Sequence, residues 1–431
     1  MYSGPKTCLD GDGVERYGHV KRPTHMGDTM QLTHDNLIAA CRPGGASVLT
    51  VTTQLAPAVG MHGGIAPARY LRGRTSTYAF GTRYLDLGNG PTPATVVTVL
   101  GKAASLNKIE AAISQAIVDG EEPLAQTPRI RVSYEGLDPV LDLDLPHRAA
   151  DGHVRSGQVD GGPVTAHPTF RAARDANNAN ASALLELSPA SLVFGGWDAT
   201  RRAHGFKFRS ALVGETIGVL ADQSPQGREI DPRGGARFDT IAPSVRLSGD
   251  DLRALRDEQE DELSPGNIER IDKEIKRAGK GTVSAAGLGL GAIPPALEGL
   301  GLVSCSSIIR SHVLSFAALR QLRFGLGAEG DVAARALLAA FAINGLVRSF
   351  GELSYRADCD LVETERPQAL LDQRYGNTAE IDLPEVDGAD ALLSEAIDAA
   401  RAAGVRWEGQ VLEVTGNPLI AGGIVDEVEE D

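Results

Sequence analysis

The stretch from Ser182 to Ser210 places basic and aromatic side chains directly after an apolar run, in the order SALLELSPASLVFGGWDATRRAHGFKFRS. Five basic residues follow its Trp-Asp pair, namely Arg201, Arg202, His204, Lys207 and Arg209. Arginine and lysine bind phosphates, whereas rings such as Trp197 stack on the faces of unpaired bases. The stretch therefore indicates a loop that binds a polyanion with bases. The alternative at this point is a solvated loop beside a core strand.

Two further groups of basic residues are candidates for phosphate contacts. Between His62 and Lys108 the only acidic residue is Asp86, and the basic residues are Arg69, Arg72, Arg74, Arg83, Lys102 and Lys108. Asn107 and Lys108 fall in the first turn of a helix predicted over Ser105–Val118 with Ser105 as N-cap, where free backbone N–H groups attract phosphate. Arg171 and Arg174 lie one turn apart in a helix predicted over Pro168–Leu187, so both occupy one face.

The formal net charge of −15 at first opposes a nucleic-acid partner, because such binding depends on phosphate neutralisation. The charge is not spread evenly. Residues 358–431 hold 19 acidic and 4 basic residues, which accounts for the whole −15, and residues 1–357 are neutral. The body of the protein must therefore be judged by its local basic patches.

Motifs of enzymes and cofactor sites are mostly absent. Gly287, Gly289 and Gly291 match G-x-G-x-x-A, but Pro294-Pro295 follow where a helix must begin, so a dinucleotide site is not predicted. The glycines still allow a backbone to approach phosphates closely. His147, His153 and Asp151 could bind a metal if clustered, and Asp198 is either a catalytic acid or the cap of its own turn. Nothing assembles a nucleophile, a base and an oxyanion hole, so we expect no enzyme, no metal and no cofactor.

The elements that would carry these residues are short β-branched strands alternating with helices. Strands are predicted over Ala46–Ala56 and Thr95–Leu100, and a core helix over Val332–Gly351. This order favours an α+β fold around an antiparallel sheet, enlarged by insertions. The glycine-rich segment 146–167 is predicted to be a loop or flexible hairpin, and 247–280 a charged helical insertion. No segment suits a signal peptide or a membrane span, and the four distant cysteines suit free thiols, so we expect a cytoplasmic protein.

Several sequence blocks together resemble one known family. They are GIAPARY, TYAFGTRY, TVVTVLGKAASLNKIE, HRAAD, SPASLVFGGWDATR, KFRSALVGE, SAAGLGLGAIPP and LSFAALRQLRF, in that order between Gly64 and Phe324. They resemble the RAMP-type backbone subunit of subtype I-G (formerly I-U) CRISPR effector complexes. The resemblance covers most of Gly64 to Leu346, and the N-terminal arm and the acidic C-terminal segment lie outside it.

The resemblance implies an RRM-like, or ferredoxin-like, core with large insertions and no catalysis in the subunit itself. It implies an N-terminal arm over 1–45, a palm over 46–357 and an acidic segment over 358–431, with 146–167 as the thumb that separates bases. The implied partners are the guide RNA (crRNA), the target DNA strand through that guide, copies of the same chain and other subunits of a CRISPR effector (Cascade) complex, with no membrane.

Carried onto this sequence, the resemblance implies an RNA groove formed by the candidate residues already described. They are Arg69, Arg72, Arg74, Arg83, Asn107, Lys108, Arg171, Arg174, Trp197, Arg201, Arg202, Lys207, Arg209, Gly287, Gly289 and Gly291. The main alternative is a metal-dependent ribonuclease of the same superfamily, in which Asp151, Asp175 or Asp198 would cut target RNA. A third hypothesis is a small-molecule enzyme that uses the Gly287 loop.

Overall fold

The chain forms two compact units, seen in a computed structural model that describes residues 29–86, 90–200, 205–228, 232–235, 244–291 and 296–421. The first unit runs to Arg228 and resumes at Val303. The second covers the stretch in between, Glu229–Leu302. The terminal acidic run DEVEED and most of the predicted N-terminal arm lie outside the described residues.

The helices and strands are numbered in chain order. The strands are β1 (Met30–Gln31), β2 (Val48–Pro57), β3 (Arg69–Arg72), β4 (Thr75–Tyr78), β5 (Phe80–Asp86), β6 (Pro91–Leu100), β7 (Arg129–Ser133), β8 (Val140–Leu141), β9 (Gln158–Val159), β10 (Gly162–Pro163), β11 (Gly196–Trp197), β12 (Lys207–Phe208), β13 (Leu212–Leu220), β14 (Pro232–Gly235), β15 (Arg246–Ser248), β16 (Thr282–Ser284), β17 (Ala296–Leu300), β18 (Cys305–Ser315), β19 (Leu361–Glu363), β20 (Gln368–Asp372), β21 (Thr378–Asp382) and β22 (Val411–Thr415). The α-helices are α1 (His34–Cys41), α2 (Lys102–Val118), α3 (Gly152–Arg155), α4 (Pro168–Arg174), α5 (Ser182–Leu185), α6 (Ala190–Val193), α7 (Gly249–Glu258), α8 (Pro265–Ala278), α9 (Phe316–Leu319), α10 (Gly327–Arg348), α11 (Val386–Ala402) and α12 (Pro418–Ala421).

The centre of the large sheet has the strand order β20, β2, β18, β13, and each neighbouring pair is antiparallel. In chain order these strands and two helices follow one another as β2, α2, β13, β18, α10 and β20. This is the β-α-β-β-α-β connection of the ferredoxin-like fold. The predicted α+β class with an antiparallel, RRM-like core is therefore confirmed, and β6 and β5 extend the sheet beyond β13.

Apolar side chains alternate along the central strands, and the face of the sheet to which they point is the face that the main core covers. Leu49 and Val51 of β2 point to the same side as Leu314 of β18, and all three join the main core. Helix α10 lies in this core and is buried along almost its whole length. Together with the short turn that follows it, the helix spans Gly327–Gly351 and is long and apolar enough to cross a membrane. It is wholly buried, as a core helix is. Gly345 lets α10 approach α2 closely, because a Cβ there would overlap Ile113.

The segment 146–167 is not the loop or flexible hairpin that its composition predicted. It contains α3, β9 and β10, and β9 joins a second sheet of order β10, β9, β22, β7, β8. Its apolar side chains are buried in the main core, among them Val154 and Val164. The segment therefore packs against the body and does not project as a thumb would. The composition misled because glycines serve the tight turns between very short elements.

Three other predictions need correction. Helix α2 begins at Lys102 with Gly101 as its N-cap, whereas Ser105 is buried inside the helix. The helix predicted over Pro168–Leu187 is interrupted after Arg174 and resumes only as the short α5. The segment from residue 358 was predicted to be separate from the palm. It contributes β19, β20 and β21 to the large sheet, so residue 358 is not a domain boundary.

The second unit contains the predicted helical insertion. Helices α7 and α8 begin at N-cap serines, Ser248 and Ser264, whose hydroxyls accept backbone N–H bonds. The helices pack on the β15–β16 hairpin through Leu252, Ile271 and Val283. This small core supports an insertion between β13 and β18 of the ferredoxin-like connection.

Candidate nucleic-acid interface

The β11–β12 hairpin presents the aromatic and basic residues of the Ser182–Ser210 stretch. Gly196 and Trp197 pair with Phe208 and Lys207. The side chains of Phe206 and Phe208 are buried, whereas the Trp197 side chain is 59% exposed. The Lys207 Nζ lies 5.3 Å from the centroid of the Trp197 ring. The hairpin thus offers an open ring and an adjacent cation, the combination that binds a base together with its phosphate.

Asp198 fixes the turn that follows Trp197. Its carboxylate is almost fully buried, accepts hydrogen bonds from the Thr200 backbone N–H and hydroxyl, and is 3.3 Å from Nε of Arg174. Burial raises the pKa of Asp198, but the hydrogen bonds from Thr200 and Arg174 outweigh it, so the pKa lies below its ordinary value. Asp198 therefore acts as a structural cap, and Arg174 is a partner of this carboxylate instead of a free phosphate ligand.

A buried ion pair anchors the other side of the hairpin. Arg148, from the HRAAD block, bonds through Nε and Nη2 to the Glu110 carboxylate of α2. Its Nη1 donates to the carbonyl of Gly195, immediately before β11, at 2.9 Å. Arg148 also adopts a φ of +49°, a conformation that non-glycine residues rarely take. One guanidinium therefore links α2 to the base of the hairpin.

Sequence reasoning did not single out Arg148 or Glu110. Both lie in blocks that support the family resemblance, yet their charges gave no sign of which would be buried. A charged residue that ends an apolar helical face, as Glu110 does in SLNKIEAAI, is the signal that could have indicated a buried partner. The partner itself, 38 residues away, could not be identified from spacing.

Three predicted cations on this surface are exposed and lack an ion pair with any described residue: Arg171, Lys207 and Arg209. Arg171 lies on α4, one turn before the Arg174 that contacts Asp198, so the structure brings it to the same surface as the hairpin. Arg201 and Arg202 lie outside the described residues. Exposed cations without carboxylates keep their charge available for an anionic ligand.

A second basic group lies on the β3–β4 hairpin. Arg69, Arg72 and Arg74 are exposed and have no carboxylate partner in the described parts of the chain. The hairpin sits at the start of α2, because a Cβ at Gly101 would lie 3.0 Å from the Tyr70 hydroxyl. Gly101 provides no side-chain cap for the helix. The Tyr70 side chain of this basic hairpin thus lies at a helix N-terminus, where backbone N–H groups favour phosphate.

The other palm candidates have mixed positions. Arg83 on the edge strand β5 contacts Glu215 at 3.6 Å, so part of its charge is neutralised. Asn107 is exposed on α2, but it lies in the second turn and not at the helix start. Lys108 donates to the carbonyl of Ser354 at 3.1 Å and lies 5.9 Å from the Tyr355 ring centroid. Lys108 therefore already has partners within the protein.

The Gly287 loop belongs to the second unit, where its glycines serve packing. A Cβ at Gly287 would lie 2.7 Å from Cγ1 of Ile271 on α8, and a Cβ at Gly291 would lie 2.7 Å from Cβ of Ala286. Gly289 adopts a φ of +75°, which favours glycine. The backbone at Gly287 was predicted to approach a phosphate closely. It instead approaches helix α8 of the same unit.

The residues considered for metal or acid chemistry have structural partners. Asp151 accepts hydrogen bonds from the backbone N–H groups of His147 and His153, and Nδ1 of His153 is 2.6 Å from the Tyr134 hydroxyl. Among the described residues no group of three His, Cys, Asp or Glu side chains could hold a metal ion. Asp175, the third acid of the ribonuclease hypothesis, is exposed and also has an interaction partner.

Comparison with known proteins bears on the same part of the chain. Residues 49–223 match the model of a family described as CRISPR-associated protein GSU0053. The matched range contains both hairpins, α2 and the Glu110–Arg148 ion pair. No curated protein matches the chain. Over residues 49–223 the chain is therefore similar to a CRISPR-associated protein family.

Proposed function

We propose that the protein is a non-catalytic, cytoplasmic backbone subunit of a CRISPR interference complex that binds the guide RNA. Several copies would lie side by side along the RNA, together with other effector subunits, and the guide would pair with the target DNA strand. The fold and the family match both agree with this role, and the cations that have no ion pair with a described residue would supply the RNA contacts.

The observation that carries the proposal is the composition of the β11–β12 surface. Trp197 is exposed beside Lys207, and Arg171 and Arg209 on the same surface have no carboxylate partner among the described residues. Other exposed arginines are paired with carboxylates, as at Arg42 and Arg366. Cations left free around an exposed ring match the requirements of single-stranded RNA.

The absence of catalysis is part of the proposal. Asp198 holds the turn after Trp197 and Asp151 holds the start of α3 through their carboxylate oxygens, so both have structural roles. A loop aspartate that cuts RNA would need to direct its oxygens toward the bound strand. We therefore assign the subunit to holding RNA, and any cleavage to other components.

Purification with its operon partners, followed by sequencing of the RNA that co-purifies, tests the proposal. We expect guide RNA of defined length bound to several copies of the chain. A nucleic-acid-free monomer recovered under those conditions would contradict the proposal, and magnesium-dependent cleavage lost on Asp198→Ala would support the ribonuclease alternative.

The variant Lys207→Ala with Arg209→Ala tests the surface itself. Phosphate contacts carry no sequence information, so affinity for all RNA sequences should fall alike, and the slope of log K against log salt should decrease by about one per lost contact. Arg406→Ala is the matched control, because it removes one exposed positive charge that is paired with Glu408. If the control and the double variant lose the same affinity, general charge and not this surface is responsible.

A further inference from the structure

A pocket of about 270 Å³ opens beside the β12 strand of the first unit. Its lining combines apolar, amide and basic side chains, and consists of Asn178, Leu192, Lys207, Phe208, Arg209, Ala211, Ala318, Leu319, Gln321 and Leu322. Two of the three cations assigned to the RNA surface, Lys207 and Arg209, thus stand at a concave site. The volume lies just below the range of about 300–1,000 Å³ typical of small-molecule sites, so the pocket suits one small ring system.

The walls of the pocket are held by hydrogen bonds. The Arg323 N–H donates to the Asn178 carbonyl at 2.9 Å, and the Ala181 N–H donates to the Arg323 carbonyl at 2.8 Å. Next to Arg323, the Leu322 carbonyl accepts two bonds from the buried Arg335 guanidinium. The backbone at Asn178 and at Leu322 is therefore fixed before any ligand binds, which lowers the entropic cost of binding.

The side chains in these fixed walls remain available. Asn178 and Gln321 are both exposed, and neither side-chain amide makes a hydrogen bond with another described residue. The apolar part of the lining includes Phe208, Leu192 and Leu319, whose side chains also pack in the main core. An unpaired base needs the same set of groups: apolar surface for its faces, donors and acceptors for its edge, and cations for its phosphate.

We propose that this pocket binds one unstacked adenine base of a single-stranded nucleic acid, a role that rests on the proposed RNA-binding function. Asparagine and glutamine amides form paired hydrogen bonds with N6 and N7 of adenine, one donated and one accepted. Lys207 and Arg209 at the rim bind the adjoining phosphate. The subunit then carries a base preference at one position, in addition to contacts that depend only on the backbone.

Fluorescence anisotropy with labelled rA12 and rU12 tests the proposal on the full-length chain. We expect wild type to prefer rA12 by about tenfold, the effect of one paired base contact. Asn178→Ala with Gln321→Ala should remove this preference and leave the affinity for rU12 unchanged. Both side chains are exposed, so folding is preserved, and Gln373→Ala is the control for an exposed glutamine elsewhere on the first unit.

Each outcome has one reading. A double variant that keeps the rA12 preference, or a wild type that binds rA12 and rU12 equally, overturns the adenine pocket while the RNA-binding function stands. If wild type binds neither RNA, the proposed function fails and the pocket with it. The same measurements with dA12 and dT12 show whether the pocket binds adenine in RNA, in DNA or in both. A preference for adenine in either nucleic acid supports the pocket.

Discussion

Replacing Arg148 with methionine tests whether the buried ion pair with Glu110 positions the β11–β12 hairpin. Only 11% of the Arg148 side chain and 4% of the Glu110 side chain are exposed. Methionine keeps most of the volume of arginine, so the change removes charge and hydrogen bonds without opening a large cavity. Removing one partner of a buried pair costs about 3–5 kcal/mol, because the remaining charge is left uncompensated.

The loss of stability caused by Arg148→Met should depend on pH, and the pKa of Glu110 determines the direction. Burial raises the pKa of Glu110 from 4.5 to about 7, even though Arg148 lowers it. A carboxyl with a raised pKa stabilises the folded chain below pH 4.5, and this contribution is lost as the pH rises through 7. Without Arg148 the pKa rises further, so the loss continues above pH 7. The deficit of the variant relative to wild type should therefore grow above pH 7, by up to about 1.4 kcal/mol per pH unit.

Denaturant unfolding at pH 6.5 and pH 8.5, with thermal scans beside it, measures both effects. We expect a fall in Tm of about 5 °C at neutral pH, because 1 kcal/mol shifts Tm by about 2–4 °C in domains of 150–250 residues and by less in larger ones. Arg42→Met is the matched control. Arg42 makes the same two-point contact with a carboxylate, at 2.8 and 2.6 Å from Glu329, but both side chains are exposed.

The control should change the free energy of unfolding by about 1 kcal/mol or less, as exposed ion pairs do. The reasoning is refuted if Arg148→Met is no more destabilising than Arg42→Met, or if its deficit is the same at both pH values. The variant should also weaken RNA binding, because Arg148 Nη1 holds the carbonyl of Gly195 at the base of the hairpin. Unchanged RNA affinity in a folded Arg148→Met protein would show that the hairpin does not depend on this anchor.

Three shorter predictions concern the same unit. Trp197→Ala should weaken single-stranded RNA binding by about 1–3 kcal/mol, as loss of one stacking ring does, and should leave the melting temperature nearly unchanged because the ring is 59% exposed; anisotropy and thermal scans check both. Gly214→Ala should destabilise by about 1–3 kcal/mol in denaturant unfolding, because the new Cβ would overlap His312 and lie 2.8 Å from the Ser105 hydroxyl, whereas Gly152→Ala, with open space at its Cβ, should not. Asp198→Asn should lower stability at neutral pH, with a deficit that disappears as the pH falls below the lowered pKa of Asp198 and wild type loses the same charge; a deficit that persists in acid would contradict this role.

The sequence predicted the central elements well because their patterns are local. Alternation in ASVLTVTTQLA marked β2, and the apolar run from Val332 marked α10. Both patterns follow from which side chains must face a common core, and each can be recognised within a few residues. Prediction failed at Ser105, where a residue suited to an N-cap is buried inside α2 and lies 3.2 Å from His312. The helix instead begins at Lys102, and Ser105 is buried against the sheet, because tertiary packing outweighs cap preference.

The candidate interface was predicted in composition but not in arrangement. Trp197, Lys207 and Arg209 could be identified together because they are close in sequence. Arg174 seemed equivalent to Arg171, yet its neighbour in space is Asp198, 24 residues later. The second strand of β11–β12 also completes a pocket with residues 318–322, which belong to a distant part of the chain.

The sequence by itself determined the α+β class, the segregation of acidic charge into the last segment and the basic, aromatic character of the Ser182–Ser210 stretch. These properties depend on residue type and short-range spacing. Only the tertiary structure decided which charges are free. Glu110 with Arg148 and Asp198 with Arg174 are brought together by the fold, whereas no ion pair joins Arg171 or Arg209 to a described carboxylate. Whether a charge is neutralised depends on its distance in space from an opposite charge. Because the chain returns several times across the same sheet, this distance is independent of the separation of the two residues along the sequence.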